Sequence, residues 1–169
     1  PPGRDFLADV CVEWEREALA AERLGVRVVC VRTGIVLAPG GGALAKMLSP
    51  FRMGVGGRLG DGRQWMPWIH LGDEVGLLLH AMKDERVGAA INAVGPRPVT
   101  NADFTRKLAQ ALHRPAFLPL PKTALRLALG QMSEILTASQ RALPKEAART
   151  GYTFDHPELE GALAAVLTG

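Results

Sequence analysis

Residues 26–40, VRVVCVRTGIVLAPG, place the strongest limit on what this chain can fold into. A run of Val and Ile closed by Pro39-Gly40 reads as one strand buried on both faces, the kind found in parallel sheets. The preceding RDFLADVCVEWEREALAAERLG reads as a helix. Phe6, Val10, Trp14 and Ala18 recur every four residues and share a face, with Asp5 as its N-cap and Gly25 as its stop. Helix followed by buried strand is half of a βαβ repeat, which puts the chain in the α/β class. Only GAAINAVG, residues 88–95, has the same buried-strand character. Two such strands leave faces and edges open, so the sheet must be completed by more chain, by another subunit or by rearrangement.

The remaining segments are mostly helical. GGGALAKMLSPFRMGVGG reads as a loop around a short helix. GDEVGLLLHAMKD is a strong helix, capped by Asp73, with Val75, Leu78, Leu79 and Met82 as its apolar stripe. Thr100 and Asp103 form a capping box for a helix that places Phe104, Leu108 and Leu112 on one face. A further helical segment runs through Leu125 and Leu129. Pro144 and Gly151 bracket a short helix, and HPELEGALAAVL sets Leu159, Ala162, Leu163 and Val166 at helical spacing.

The bulk composition narrows the class further. With 169 residues, 47% hydrophobic, the chain suits one medium domain or a large part of one. No apolar run is long enough to span a bilayer and no leader is read, so a cytoplasmic protein without a membrane partner is expected. The opening Pro1-Pro2-Gly3, without Met, hints at a piece of something longer. The net charge is +3, but the Lys and Arg residues are scattered and form no stripe, so no nucleic-acid partner is expected. Cys11 and Cys30 read as buried thiols, and no metal site is expected. There is no G-x-S-x-G elbow, and Ser49, Ser133 and Ser139 lack evident partners.

The order of FLADVCVEWE, VVCVRTGIVLAPGGGALAKMLSPFRMGVGG, GDGRQWMPWIHLGDEV, INAVGPRPVTNADF and GQMSEILTASQRALPKEAARTGYTFDHPELEGAL carries a resemblance. Together these segments closely resemble the epimerase-family proteins of the atypical extended short-chain dehydrogenase/reductase group. From about Phe117 onward the chain is similar to the small domain of unknown function (DUF1731) that ends those proteins. The resemblance implies the C-terminal part of a Rossmann-like fold, with few parallel strands and a largely helical substrate side. Residues 1–116 would be the C-terminal part of the epimerase domain, and 117–169 the small helical domain. The Gly-rich phosphate-binding turn that opens the family is not found. Gly40, Gly41 and Gly42 follow a strand but lack its spacing and read as a loop. A missing N-terminal half, or a homodimer, is the expected partner, and NADP or NAD the expected cofactor of the parent protein.

Extended short-chain dehydrogenases exchange a proton through a Tyr-x-x-x-Lys pair while nicotinamide exchanges a hydride. The matching positions here are Phe6 and Val10, and neither moves a proton. The chain's one tyrosine, Tyr152, lies far downstream. Arg32, Thr33, Gly34, Ile35 and Val36 match the Arg-Pro-x-x-Val stretch whose backbone meets the nicotinamide carboxamide in extended relatives. Among these, Arg32 must pair with a carboxylate or face a ligand. The loop RLGDGRQWMPWIH matches one whose arginine grips a substrate diphosphate, but Met66 stands at that arginine's place. Arg63, Trp65, Met66, Trp68 and His70, joined by Gln140 and Arg141 from SQRALP, are the candidate substrate pocket, for a small molecule less charged than a nucleotide sugar. For His70 the simpler role is a bond to neighbouring backbone. Two functions remain open: an NADP(H)-binding epimerase/dehydratase-like oxidoreductase relative, or a non-catalytic cofactor-sensing or partner-binding protein on the same fold.

Overall fold

The computed structural model describes residues 6–121 and 138–168, together with positions 3, 123, 126, 127 and 130. The expected cap at Asp5, the helical segment through Leu125 and Leu129, and Ser133 lie outside the described residues. The elements run α1 (Phe6–Ala20), a 3-10 turn (Ala21–Leu24), β1 (Cys30–Thr33), β2 (Ile35–Leu37) and α2 (Gly42–Arg52). They continue with β3 (Trp65–Met66), β4 (Trp68–His70), α3 (Leu71–Lys83), β5 (Ala90–Ala93), β6 (Val99–Thr100) and α4 (Asn101–Ala111). Two further helices, α5 (Lys145–Arg149) and α6 (Leu159–Thr168), follow.

The expected single strand over 26–40 is two. β1 pairs in parallel with β5, and β2 pairs in parallel with β4. The change of partner happens at Gly34. Its N–H donates to Ala93 O at 2.9 Å, and the next N–H, from Ile35, donates to Pro67 O at 2.6 Å. A Cβ on Gly34 would lie 2.7 Å from Pro67 O, so only glycine lets the two strand pairs approach this closely. A third, antiparallel pair joins Trp65 to Thr100 and Met66 to Val99. Nor is β1 buried on both faces: Arg32 and Thr33 are exposed, because β5 is its one strand partner among the described residues.

Side chains alternate across β4, and this divides the core. Trp68 faces a cluster with Leu37, Leu44, Phe104, Leu108 and Leu163, built by β2, α2, α4 and α6. Ile69 faces a second cluster with Leu77, Ala81, Ile91, Ala93 and Ala147, built by α3, β5 and α5. The helices over 101–111, 145–149 and 159–168 form as their patterns predict. Thr100 accepts from the Asp103 N–H at 3.2 Å as the capping residue.

Three expectations about burial are corrected. Helix α1 has no buried residue, with Phe6 79% and Trp14 71% exposed, because none of the described core elements covers its apolar face. Cys11, on that helix, is therefore exposed rather than buried, while Cys30 is half-buried. On α3 the stripe Val75, Leu78, Leu79 and Met82 is exposed. The buried face is Asp73, Glu74, Leu77 and Ala81. Helix α3 is apolar on two faces, and β4 and β5 take the one carrying Leu77.

Asp73 is not the cap of α3. That role falls to His70, whose Nδ1 accepts from the Gly72 N–H at 3.0 Å. Asp73 is fully buried and accepts from the backbone N–H groups of Asp155 and His156 at 2.8 and 3.0 Å. The Tyr152 hydroxyl donates to Asp73 O at 3.2 Å. This knot ties the segment before α6 to the start of α3. Burial, foremost, and the carboxylates of Asp73 and Asp155 push the Tyr152 phenol up to about 12.

Candidate functional site

Ligands of open α/β sheets bind outside the carboxyl ends of the strands. In this chain that place is where β1 stops at Thr33, the backbone turns at Gly34, and the loop around Trp65 passes by. Arg32 and Asn92 are register partners on β1 and β5. They open into a groove of about 660 Å³ whose other wall includes Arg141, Leu143 and Lys145. Asn92 Nδ2 donates to Leu143 O at 3.1 Å and holds that wall in place.

Trp65 carries the second contact between distant parts of the sequence. Its N–H donates to Ser139 Oγ at 3.1 Å, and the Gln140 N–H donates to Trp65 O at 3.5 Å. The Arg141 guanidinium sits 5.0 Å from the Trp65 ring centroid, a cation–π distance. Three of the candidate pocket residues, Trp65, Gln140 and Arg141, are thus one unit, and Arg141 joins them to Arg32 across the groove.

Arg32 takes the first of its two alternatives, a carboxylate partner. Its Nε and one Nη each donate to Glu15 at 2.6 Å, a two-point ion pair, and the same side chain lines the groove. Arg32 holds the Glu15 carboxyl below the usual carboxylate range. The groove's acid, Glu146, is engaged by Arg149 and by the Gly88 N–H at 2.7 Å. What faces solvent there is cationic and suits an anionic group on a ligand.

The other candidates lie elsewhere. Met66 and Trp68 are buried in the first core cluster. Asn101 Nδ2 donates to Met66 Sδ at 3.2 Å, and Trp68 Nε1 donates to Arg97 O at 3.2 Å. The guanidinium of Arg63 is exposed, on a turn where Asp61 accepts from the Arg63 N–H at 3.0 Å. His70 packs its ring 3.8 Å from that of His156; burial first, then His156, lowers its pKa. Phe6 and Val10 sit on α1 outside the core. Among the described residues, no group of three His, Cys, Asp or Glu side chains could hold a metal ion.

Sequence reasoning missed Glu74. The Thr33 hydroxyl donates to Glu74 Oε1 at 2.8 Å, while Glu74 Oε2 has no partner among the described residues. Glu74 is only 8% exposed, and burial raises its pKa against the opposing bond from Thr33. The available signal was the doubled acid in GDEV, which also matches an ordinary first helical turn. Asn92 was the one polar side chain in a short apolar strand.

Residues 7–95 match the NAD dependent epimerase/dehydratase family, and residues 120–166 match a domain of unknown function, DUF1731. The chain belongs to the NAD-dependent epimerase/dehydratase family. It is 43% identical over 167 residues to the mouse epimerase family protein SDR39U1, covering 96% of this chain and 56% of that protein. It is 44% identical over 167 residues to the epimerase family protein Mb2239 of Mycobacterium bovis, covering 98% and 56%. The chain thus spans little more than half the length of these relatives. The crystal structure of human SDR39U1 (isoform 2) with NADPH superposes with a TM-score of 0.90 at 40% identity, over 98% of this chain and 56% of that one. The fold is that of a Rossmann-like short-chain dehydrogenase/reductase. No helix among the described residues is long and apolar enough to cross a membrane.

Proposed function

We propose that this chain supplies the substrate side, and part of the nicotinamide pocket, of a cytoplasmic NADP(H)-binding epimerase/dehydratase-like oxidoreductase relative. The observation that carries this reading is the groove joining Arg32, beside the carboxyl end of β1, to Arg141, stacked on Trp65. Strand end, cationic wall and aromatic platform come from three separated stretches of sequence and converge on one place, as binding sites do. When bound, a nicotinamide cofactor supplies hydride exchange. Thr33 and the backbone of Gly34 to Val36 are the residues here that would meet its ring end. The unpaired oxygen of Glu74, buried beside Thr33, fits a site with polar groups held ready. Arg141 and Lys145 orient an anionic group of a small substrate, and Trp65 covers its apolar part. The uncovered face of α1 and the β1 edge away from β5 are where the rest of a sheet, from the same polypeptide or from a second copy, would pair.

A second reading is favoured by Phe6 and Val10. With no proton-transferring pair on α1, the same fold could bind cofactor and signal its presence without turnover. One experiment tests the first reading and weighs the second. NADPH is titrated into the full-length gene product carrying Trp14→Phe, with Trp65 as the nearby fluorophore. A saturable change in emission is expected. No change in correctly folded protein overturns the cofactor assignment. Binding that is never followed by NADPH consumption with carbonyl compounds favours the sensing role.

A further inference from the structure

We propose that the groove between α4 and the chain returning from it is a second ligand site, one that takes a nucleoside polyphosphate. It shares no residue with the groove of Arg32 and Arg141. Ala102, Arg106 and Ala109 line it from one face of α4. After α4 the chain turns back and is held beside Arg58: the Leu120 N–H donates to Arg58 O, and the Gly60 N–H to Leu120 O, both at 2.8 Å. The space enclosed is about 930 Å³, enough for a nucleotide-sized ligand.

The charge on its walls has one sign. Arg58, Arg106 and Arg114 line the groove, and no Asp or Glu does. Among the described residues one of these guanidiniums has a carboxylate partner, Arg106 with Asp103 at 3.1 Å, and that pair is too exposed to hold it firmly. Arg58 lies at the start of α4, since a Cβ at Gly62 would meet both Ala102 Cβ at 2.9 Å and Arg58 Cδ at 3.3 Å. Arg114 follows the other end of the helix. His113 stands just past the C-cap Leu112 with φ 52°, where helices favour glycine. A glycine would close α4 at lower conformational cost, whereas the histidine adds an N–H donor to the groove. Phe117, 74% exposed, offers a ring face on the returning wall. Guanidinium forks match phosphate oxygens, and two or more of them suit a phosphate chain better than a single carboxylate. The exposed ring suits a flat base. The cations do not continue as a stripe beyond the groove, so a small molecule fits this surface better than a nucleic-acid strand.

The 169-residue chain holds the whole groove, so it is the protein to test. Titration calorimetry measures dissociation constants for ADP, inorganic tripolyphosphate and adenosine. ADP is expected to bind, to bind more tightly than adenosine, and to weaken as salt rises from about 0.05 to about 0.5 M. Arg58→Ala combined with Arg114→Ala weakens ADP and tripolyphosphate alike, by about 10-fold or more. Phe117→Ala weakens ADP about 5- to 10-fold and leaves tripolyphosphate within about 2-fold. All three side chains are exposed, so folding is retained, as circular dichroism checks. Absent or salt-insensitive ADP binding to the unsubstituted chain overturns the proposal. So do ADP constants that the folded variants leave unchanged, or that Arg141→Ala moves as much as the arginine pair does. Tighter binding of a short single-stranded DNA than of ADP also overturns it and makes this face a nucleic-acid contact.

Discussion

Helices α1 and α4 carry similar apolar spacing and meet opposite ends. On α4, Phe104 is 2% exposed and Leu108 fully buried, packed on β2, β4 and α6. On α1, Phe6 and Trp14 are among the most exposed large side chains of the chain. Helix α3 combines both cases: Leu77 is buried against β4 and β5, while Met82 is 74% exposed. Helical periodicity states that a face prefers to leave water. It does not state what covers that face, and in this fold the covering elements are far away in sequence. The difference divides the molecule into a closed core around Trp68 and an open side made of α1, the β1 edge and the outer stripe of α3.

Paired substitutions give the largest expected contrast between the two sides. Phe104→Ala removes a buried aromatic ring and is expected to cost about 3–5 kcal/mol in urea denaturation. Trp14→Ala on this 169-residue chain is expected to stay within about 0.5 kcal/mol, as exposed substitutions do. The matching substitution in one of the longer relatives sharpens the comparison. A cost above about 1 kcal/mol there means that the face matching that of α1 is covered in the relative. Equal costs for Phe104→Ala and Trp14→Ala in the short chain break the division into a closed and an open side.

The knot between α3 and the last segment belongs to the closed side, and Gly76 probes it. A Cβ at Gly76 would lie 2.2 Å from the Tyr152 hydroxyl. That ring cannot simply swing away, because Phe154 packs edge-on at 5.0 Å and His80 lies at 5.5 Å. Gly76→Ala gains about 1 kcal/mol of helix propensity but forces the overlap, for a net loss of about 1–2 kcal/mol. Tyr152→Phe removes the clashing oxygen and its bond to Asp73 O. The double variant is therefore expected to be more stable than the two single losses sum to, read as a coupling energy in a double-mutant cycle.

These tests mark where the sequence is legible and where it is not. The caps at Gly25 and Thr100, the helices over 101–111, 145–149 and 159–168, and the strand over 90–93 follow from neighbours within a few residues, and local patterns show them. The break at Gly34 was not legible, because it depends on Pro67 and Ala93, which sequence spacing does not bring near. The two-residue strands β3 and β6 have no periodicity to read. In the site, Trp65, Gln140, Arg141 and Arg32 are read from motif resemblance, whereas the contacts of Gln140 and Arg141 with Trp65, and the groove that Arg141 shares with Arg32, are tertiary facts. Asp73 reads as the cap of its helix and Glu74 draws no reading, since a carboxylate near a helix N-terminus is favourable whether or not it is buried.

The smallest effect is expected at the tie between α1 and the sheet. Glu15 and Arg32 pair at 2.6 Å, but the Arg32 side chain is 56% exposed, so solvent screens most of the attraction. Glu15→Gln is expected to cost no more than about 0.5 kcal/mol. Its sign with pH is definite. Arg32 lowers the Glu15 pKa in the folded chain, so the pair contributes above the ordinary glutamate pKa and is lost as pH falls through the lowered value. The unsubstituted chain and Glu15→Gln should therefore differ at neutral pH and converge in acid. Because the described core elements do not cover α1, the same loss should appear more clearly as faster amide hydrogen exchange in residues 6–20 than as a change in global stability. Exchange in α1 that is indifferent to Glu15→Gln would mean that other contacts anchor the helix, and the open side would be less open than its exposure suggests.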